Sequence, residues 1–134
     1  MCELSHFTTI KTIIKDRQCL IEALLNLNYI VKENVPILGY RGRKTQGDIV
    51  VKTGKQYDVG FNRNPEKIYQ MVADWYGARG AIGQSESEFL SNITQEYSTL
   101  KVIRSVTNKG YKVQSRRITD TGEIQLVAVR REWK

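Results

Sequence analysis

The chain has 134 residues, and its 21 Lys and Arg residues exceed its 14 Asp and Glu residues to give a net charge of +7. This length suits a single domain spanning residues 1–134, with one core large enough to need no disulfide or metal. No apolar run approaches the ~20 residues that cross a bilayer, so we expect a soluble protein without stable membrane insertion. The two cysteines, Cys2 and Cys19, do not make a disulfide framework, which favours a reducing compartment.

The first part of the chain predicts one helix between strands. Residues 7–14 alternate and are rich in β-branched side chains, which is typical of a strand. Asp16 is placed to cap a helix, because its carboxylate accepts backbone N–H groups that have no partner in the first turn. Asn28 is a suitable helix stop, since asparagine tolerates the left-handed conformation, and a strand resumes at Tyr29.

The next segment is predicted to be a basic loop followed by a hairpin. Residues 39–47 hold three glycines and three cations, a composition typical of a mobile loop or a hairpin tip. Residues 48–52 and 57–61 then form the two arms of a hairpin whose turn is at residues 53–55.

A second helix is predicted to begin at Asn64. Asparagine caps a helix, and Pro65 has the backbone angle that the first turn requires. Apolar residues recur with helical spacing from Ile68 to Trp75, and Gly77 is placed to end the helix. Residues 77–83 are rich in Gly and Ala, which indicates a flexible connection.

A long helix and two strands complete the chain. Ser85 and Glu88 have the spacing of a capping box, in which each side chain satisfies the backbone N–H of the other residue. The helix closes at residues 108–110, and residues 111–118 and 124–130 are the last two strands. The predicted fold is therefore a single α+β domain, with an antiparallel or mixed sheet and about three helices packed mainly on one face.

The residues that could perform catalysis are few and scattered. His6 is the only histidine, and a nucleophilic pair with Cys2 or Cys19 requires contact and a third orienting group. Three Cys and His residues in all are too few and badly spaced for zinc. The glycines at 77, 80 and 83 follow a helix rather than a strand, so they do not match a phosphate-binding motif. We therefore assign no catalytic residue, metal or cofactor.

Three acids admit two interpretations. Asp48 and Asp58 lie on the two arms of one predicted hairpin and Asp74 lies further on, so they could supply paired carboxylates for acid–base chemistry or a hard cation. The alternative is that they form cross-strand ion pairs with Lys52 and Lys55, which is the commoner role of such hairpin acids.

The best candidate site is a set of cations beside aromatic rings. Arginine and exposed aromatics suit phosphate contact and base stacking, and they equally suit the energetic centre of a protein interface. A solvated basic edge that prevents aggregation is the third interpretation. The arginines of the last two strands are expected to be neighbours across their turn. The candidates are Tyr40, Arg41, Arg43, Lys44, Arg116, Arg117, Arg130, Arg131 and Trp133.

Five motifs occur in an order that resembles a known family. They are Ser5–Thr12, Gly39–Gly42, Asp48–Val51, Tyr57–Phe61 and Val72–Gly77. Together they resemble the family called hypothetical chloroplast reading frame thirty-five, which occurs in algal plastids and cyanobacteria. The resemblance covers nearly the whole chain. It implies a location in the plastid stroma, or in the cytoplasm if the source is cyanobacterial, and it implies no activity.

The function predicted from these observations is binding rather than catalysis. A basic, arginine-rich surface without a catalytic constellation favours a non-catalytic binding or assembly protein that recognises an acidic protein surface. RNA binding is the first alternative, and a small enzyme with an acid-based site around Tyr40 is the second. The sequence does not predict the oligomeric state.

Overall fold

The computed structural model describes residues 7–130. Five antiparallel strands form one sheet in the order β1-β5-β4-β3-β2, and β6 and β7 form a separate hairpin. The predicted α+β class with antiparallel strands is confirmed. The elements are β1 (Thr8–Lys11), α1 (Arg17–Asn26), β2 (Ile30–Leu38), a 3-10 turn (Tyr40–Gly42), β3 (Lys44–Lys52), β4 (Val59–Arg63), β5 (Tyr69–Ala73), α2 (Trp75–Ile82), α3 (Glu86–Asn108), β6 (Tyr111–Ile118) and β7 (Ile124–Arg130).

Within residues 7–130, the three helices pack mainly on one face of the five-stranded sheet, as predicted. Side chains alternate along a strand, so Val59 and Phe61 of β4 point to one face and Gly60 to the other. The helical face carries the main core, in which the buried residues of the sheet meet those of the helices. The helix residues include Leu20 and Leu24 of α1, Ala78 of α2, and Phe89 and Ile93 of α3.

The β2–β3 hairpin bends and covers part of the second face. Asn34 has a φ of 55° and lies between the paired positions Glu33–Ile49 and Val35–Gly47, where the regular pairing is interrupted. Beyond this point Ile37 lies directly over Gly60 of β4, where a Cβ would be 2.2 Å from Ile37 Cδ1. The tip of the β2–β3 hairpin therefore crosses this face of the sheet and lies near the start of β4.

The predicted caps of α1 and α3, and the predicted end of α1, are confirmed. Asp16 Oδ1 accepts the N–H of Cys19 at 3.0 Å, and Asn28 has a φ of 70° just beyond α1. Ser85 and Glu88 form the reciprocal capping box at the start of α3. These contacts span three residues or fewer, so the sequence contains all the information that they need.

The predicted helix between Pro65 and Gly77 is wrong. Asn64 closes a turn instead, because its Oδ1 accepts the N–H of Ile68 at 3.0 Å and Lys67 has a φ of 66°. The following residues form β5, which pairs with β1 on one side and β4 on the other. The apolar residues of this segment are spaced as in a helix, but the hydrogen bonds to strands on both of its edges favour the strand.

The predicted flexible connection at residues 77–83 is also wrong, because most of it is helix α2. Asp74 caps this helix by accepting the N–H of Tyr76 at 3.2 Å, and Gly83 ends it with a φ of 82°. Gly77 therefore lies within the first turns of a helix instead of at the end of one.

The β6–β7 hairpin is fastened to α3 through a buried carboxylate. Glu96 Oε1 accepts a hydrogen bond from Arg116 Nη2 at 2.5 Å, and Glu96 Oε2 accepts one from Asn26 Nδ2 of α1 at 3.0 Å. Gln95 Nε2 also donates to the carbonyl of Gly122 in the hairpin turn at 2.6 Å. Hydrogen bonding from Arg116 holds the pKa of Glu96 below its ordinary value.

Stability should therefore depend on the ionisation of Glu96 in acid. A carboxyl whose pKa is lowered by folding stabilises the fold above its unfolded pKa, and this contribution disappears as the pH falls through the folded pKa. We expect Glu96→Gln to lower the free energy of unfolding by about 1.5 kcal/mol at pH 7. Urea unfolding at pH 7 and pH 3 should show the difference between the two proteins shrinking in acid. Glu123→Gln, in the exposed hairpin turn, is the control, and a Glu96→Gln effect of equal size at both pH values would contradict this role.

Candidate functional site

The tip of the β2–β3 hairpin forms a tight cationic turn, defined as residues 39–44. The N–H of Gly39 donates to the carbonyl of Arg43 at 2.7 Å and closes the turn. Arg41 and Gly42 have φ values of 52° and 77°, so two successive residues adopt left-handed conformations. The predicted hairpin tip is confirmed, although the strand begins at Lys44, earlier than expected.

Two buried carboxylates hold the cationic turn. Asp58 is fully buried and accepts the N–H of Leu38 at 3.1 Å. Asp74 is 1% exposed and accepts the N–H of Tyr40 at 2.9 Å. These two N–H groups lie on either side of Gly39. A buried carboxylate is costly unless it is hydrogen-bonded, so both acids favour the backbone conformation that supplies these donors.

Asp58 forms one of the predicted ion pairs. Its Oδ2 lies 2.8 Å from Lys52 Nζ, and its N–H donates to the carbonyl of Leu38 at 3.0 Å. Asp48 is engaged elsewhere, since its Oδ2 accepts the N–H of Arg63 at 3.0 Å. The two acids share no partner in the described part of the chain, so they do not form the pair that acid–base chemistry would require.

The other catalytic and metal candidates do not converge. Within residues 7–130, no three His, Cys, Asp or Glu side chains are grouped so as to hold a metal ion. Cys19 is buried in the core, and burial raises the pKa of its thiol. The thiol is therefore disfavoured as a nucleophile. His6 and Cys2 lie outside the described residues.

Three tyrosines cluster beside the cationic turn. The rings of Tyr40 and Tyr76 meet edge to face with centroids 5.9 Å apart. The Tyr57 ring lies against Gly77, where a Cβ would be 2.2 Å from it. Burial raises the pKa of Tyr57, and the nearby charge of Asp74 raises it further. We call Tyr40, Tyr57 and Tyr76 the tyrosine cluster; Tyr76 is its outermost member, with 78% of its surface exposed.

One cation of the turn contacts this cluster, and the other two lie on the protein surface. Arg41 Cζ lies 5.1 Å from the centroid of the Tyr40 ring, within the range of a cation–π interaction. Arg43 and Lys44 are exposed. The predicted candidates of this segment are thus brought together on one fixed turn, with Tyr76 added from the start of α2.

The arginines of the last two strands do not form the predicted cluster. Arg116 and Arg117 are paired with Leu126 and Gln125 near the turn, whereas Arg130 is paired with Tyr111 at the other end of the hairpin. Arg117 is six positions from Tyr111 along β6, which corresponds to roughly 20 Å. The prediction that these arginines are neighbours is wrong.

Arg116 and Arg117 also have partners within the protein. Arg116 is engaged by Glu96, and Arg117 Nε donates to Gln125 at 2.9 Å. Arg131 and Trp133 lie outside the described residues. The cationic turn is therefore the stronger of the two predicted sites.

The sequence alone does not identify the residues that organise the turn as part of the site. The sequence indicates Asp58 and Asp74 only as candidates for acid–base chemistry or ion pairs, and no sequence pattern indicates Tyr57 or Tyr76 as site residues. The available signal was the set of motifs behind the family resemblance. Three of those motifs contain Tyr40, Tyr57 with Asp58, and Asp74 with Tyr76, and they meet at this one site.

Comparison with known proteins identifies the family. Residues 23–127 match the model of the family described as "Protein of unknown function (DUF1257)". The chain belongs to this family. It is 31% identical over 136 residues to "Uncharacterized protein ycf35" of Guillardia theta, covering 98% of this chain and 99% of that protein. It is 28% identical over 131 residues to the ycf35 protein of Pyropia yezoensis, covering 95% and 98% respectively.

These relatives confirm the resemblance noted in the sequence and the predicted plastid location. No solved structure shows significant similarity to the chain. Among residues 7–130, no helix has both the length and the apolar character needed to cross a membrane.

Proposed function

We propose that this DUF1257 protein is a non-catalytic binding or assembly protein of the plastid, and that its cationic turn recognises an acidic surface on a protein partner. The observation that carries the proposal is the anchoring of this turn by two buried carboxylates, Asp58 and Asp74. A binding segment that is already fixed loses less conformational entropy when the partner binds.

The negative charges of the site are buried, whereas its positive charges lie on the surface. The negative charges of Asp58 and Asp74 are buried and satisfied by Lys52 and by backbone N–H groups. The positive charges of Arg41, Arg43 and Lys44 are on the surface, where they attract an acidic partner and orient its approach.

The tyrosines support a protein partner over RNA. Single-stranded RNA is bound by stacking bases on open aromatic faces. Tyr40 is half-buried, has Arg41 over its ring and meets Tyr76 at its edge. Tyr76 is exposed and meets the Tyr40 ring over which Arg41 lies. Tyr and Arg are the residues enriched at the energetic centre of a protein interface.

Reversing the charge of the turn should abolish partner binding. The immobilised protein is exposed to nuclease-treated plastid extract, the retained protein is identified, and its affinity is measured with purified components by calorimetry. We expect the triple variant Arg41→Glu, Arg43→Glu, Lys44→Glu to bind at least tenfold more weakly, a difference of about 1.4 kcal/mol or more.

The control variant reverses three exposed lysines elsewhere, Lys11, Lys32 and Lys67. It has the same net charge as the turn variant, and its affinity should stay within twofold of the original. Equal losses in the two variants would indicate non-specific attraction and contradict the proposal. Retention of RNA from untreated extract, with the logarithm of the binding constant falling linearly with the logarithm of the salt concentration, would support the RNA-binding alternative instead.

A further inference from the structure

A cleft adjoins the cationic turn and is lined by Leu38, Arg41, Gly42, Lys55 and Gln56. Its volume is about 370 Å³, near the lower end of the range of roughly 300–1,000 Å³ found for small-molecule sites. Among the lining side chains that belong to residues 7–130, two are cationic, one is an amide and none is acidic. The cleft is therefore chemically suited to an anion.

The two cations of the cleft are not neutralised by the described residues. Neither Arg41 nor Lys55 forms an ion pair with any acid between residues 7 and 130. Asp58, whose carboxylate binds the N–H of Leu38 just behind the cleft, already accepts hydrogen bonds from Leu38 and Lys52. The carboxylate of Asp58 is therefore already paired inside the protein, and it forms no ion pair with Arg41 or Lys55.

Both cations are attached to backbone that is fixed in place. The N–H of Lys55 donates to Thr53 Oγ1 at 3.1 Å, and Thr53 Oγ1 donates to the carbonyl of Tyr57 at 2.7 Å. Arg41 belongs to the turn held by Asp58 and Asp74, and its guanidinium lies over Tyr40. The two charges therefore border a preformed cleft.

We infer that this cleft binds one oxyanion group of the acidic partner, a carboxylate or phosphoryl group at the end of a side chain. A guanidinium binds two oxygens of such a group in a planar fork, and the Lys55 ammonium adds a second positive charge. The Gln56 amide is a further donor, and the apolar Leu38 can contact the carbon chain that carries the group. This inference rests on the proposed function and specifies the chemistry that the site recognises.

The cleft can be tested without the partner by nuclear magnetic resonance. The ¹⁵N-labelled protein is titrated at low ionic strength with acetate, which stands for a carboxylate, and separately with inorganic phosphate, which stands for a phosphoryl group. We expect saturable shifts of the Gly42 and Gln56 amides and of Arg41 Nε–H. The two titrations measure separately how the cleft binds a carboxylate and a phosphoryl group.

Two substitutions in the cleft and one matched control decide the outcome. Arg41→Gly removes the guanidinium at a position whose positive φ suits glycine, and Lys55→Gln removes the ammonium; each should weaken anion binding at least tenfold. Lys67→Gly also removes a cation at positive φ, in the turn at the other end of β4, and should change the affinity less than twofold. Shifts that never saturate, or that persist in both cleft variants, would overturn the inference.

The result is separable from that of the proposed function. If the anions do not saturate the cleft but the charge-reversed turn still loses the partner, the oxyanion site is wrong and protein recognition stands. If the cleft binds anions but no acidic protein is retained from plastid extract, the proposed function fails and the cleft stands as an anion site.

Discussion

Replacing Asp58 with alanine is expected to lower the free energy of unfolding by about 3–5 kcal/mol. The carboxylate is fully buried and binds Lys52 Nζ at 2.8 Å and the N–H of Leu38 at 3.1 Å. Its removal leaves the partly buried N–H of Leu38 without this acceptor and the partly buried ammonium of Lys52 without a counterion. Urea denaturation followed by circular dichroism measures the change, and hydrogen exchange should show faster exchange at Leu38.

Two comparison variants separate the buried acid from acids in general. Asp48→Asn changes an acid on the same hairpin that is half-buried and accepts the N–H of Arg63, so its cost should be about 1 kcal/mol. Lys52→Met removes the other member of the ion pair and leaves the fully buried carboxylate of Asp58 with only its backbone donors, so its cost should also be about 3–5 kcal/mol. A loss below about 1 kcal/mol for Asp58→Ala would show that this carboxylate does not hold the turn.

The features that the sequence predicts correctly are those whose partners are close along the chain. Asp16 binds the N–H of a residue three positions later, and Ser85 and Glu88 cap α3 through contacts of the same span. The β6–β7 hairpin likewise follows from two alternating segments and a short turn. The geometry of the chain alone brings these groups together, so local sequence patterns are sufficient to predict the contacts.

The error in β5 has a tertiary cause. Ile68, Met71, Val72 and Trp75 have helical spacing, but Tyr69, Met71 and Ala73 also alternate as a strand requires. The choice is made by β1 and β4, which hydrogen-bond to the two edges of this segment. β1 lies about sixty residues earlier in the chain, and no local pattern in residues 64–76 contains that information.

The assembly of the site could not be predicted from the sequence for the same reason, since its residues are far apart along the chain. Asp58 is 20 residues from Leu38, and Asp74 is 34 residues from Tyr40. The composition of residues 39–44 was sufficient to predict a basic surface. It was not sufficient to predict that two distant acids would fix that surface, because their approach depends on the bend of β2–β3 over Gly60.

Gly77→Ala should destabilise the protein although alanine favours helices. A Cβ on Gly77 would lie 2.2–2.4 Å from three atoms of the Tyr57 ring, too close for any real contact. The rigid ring must move, and overpacking of this kind costs about 1–3 kcal/mol. Because Tyr57 belongs to the tyrosine cluster, the displacement should also reach Tyr40 and weaken partner binding in the calorimetric assay.

Gly80→Ala provides the matched control within the same helix. A Cβ on Gly80 meets no atom within 4 Å, so the only expected effect is the gain in helix propensity, up to about 1 kcal/mol of added stability. The two substitutions should thus shift the urea midpoint in opposite directions. Both replace a glycine of α2 with alanine, but the Tyr57 ring lies beside Gly77 and no atom lies within 4 Å of a Cβ on Gly80. Adding Tyr57→Ala to Gly77→Ala should cost less than the sum of the two single changes, because removing the ring removes the clash. If Gly77→Ala stabilised the protein as much as Gly80→Ala, the Tyr57 ring could not lie against Gly77 of α2, and the proposed link between this helix and the tyrosine cluster would be contradicted.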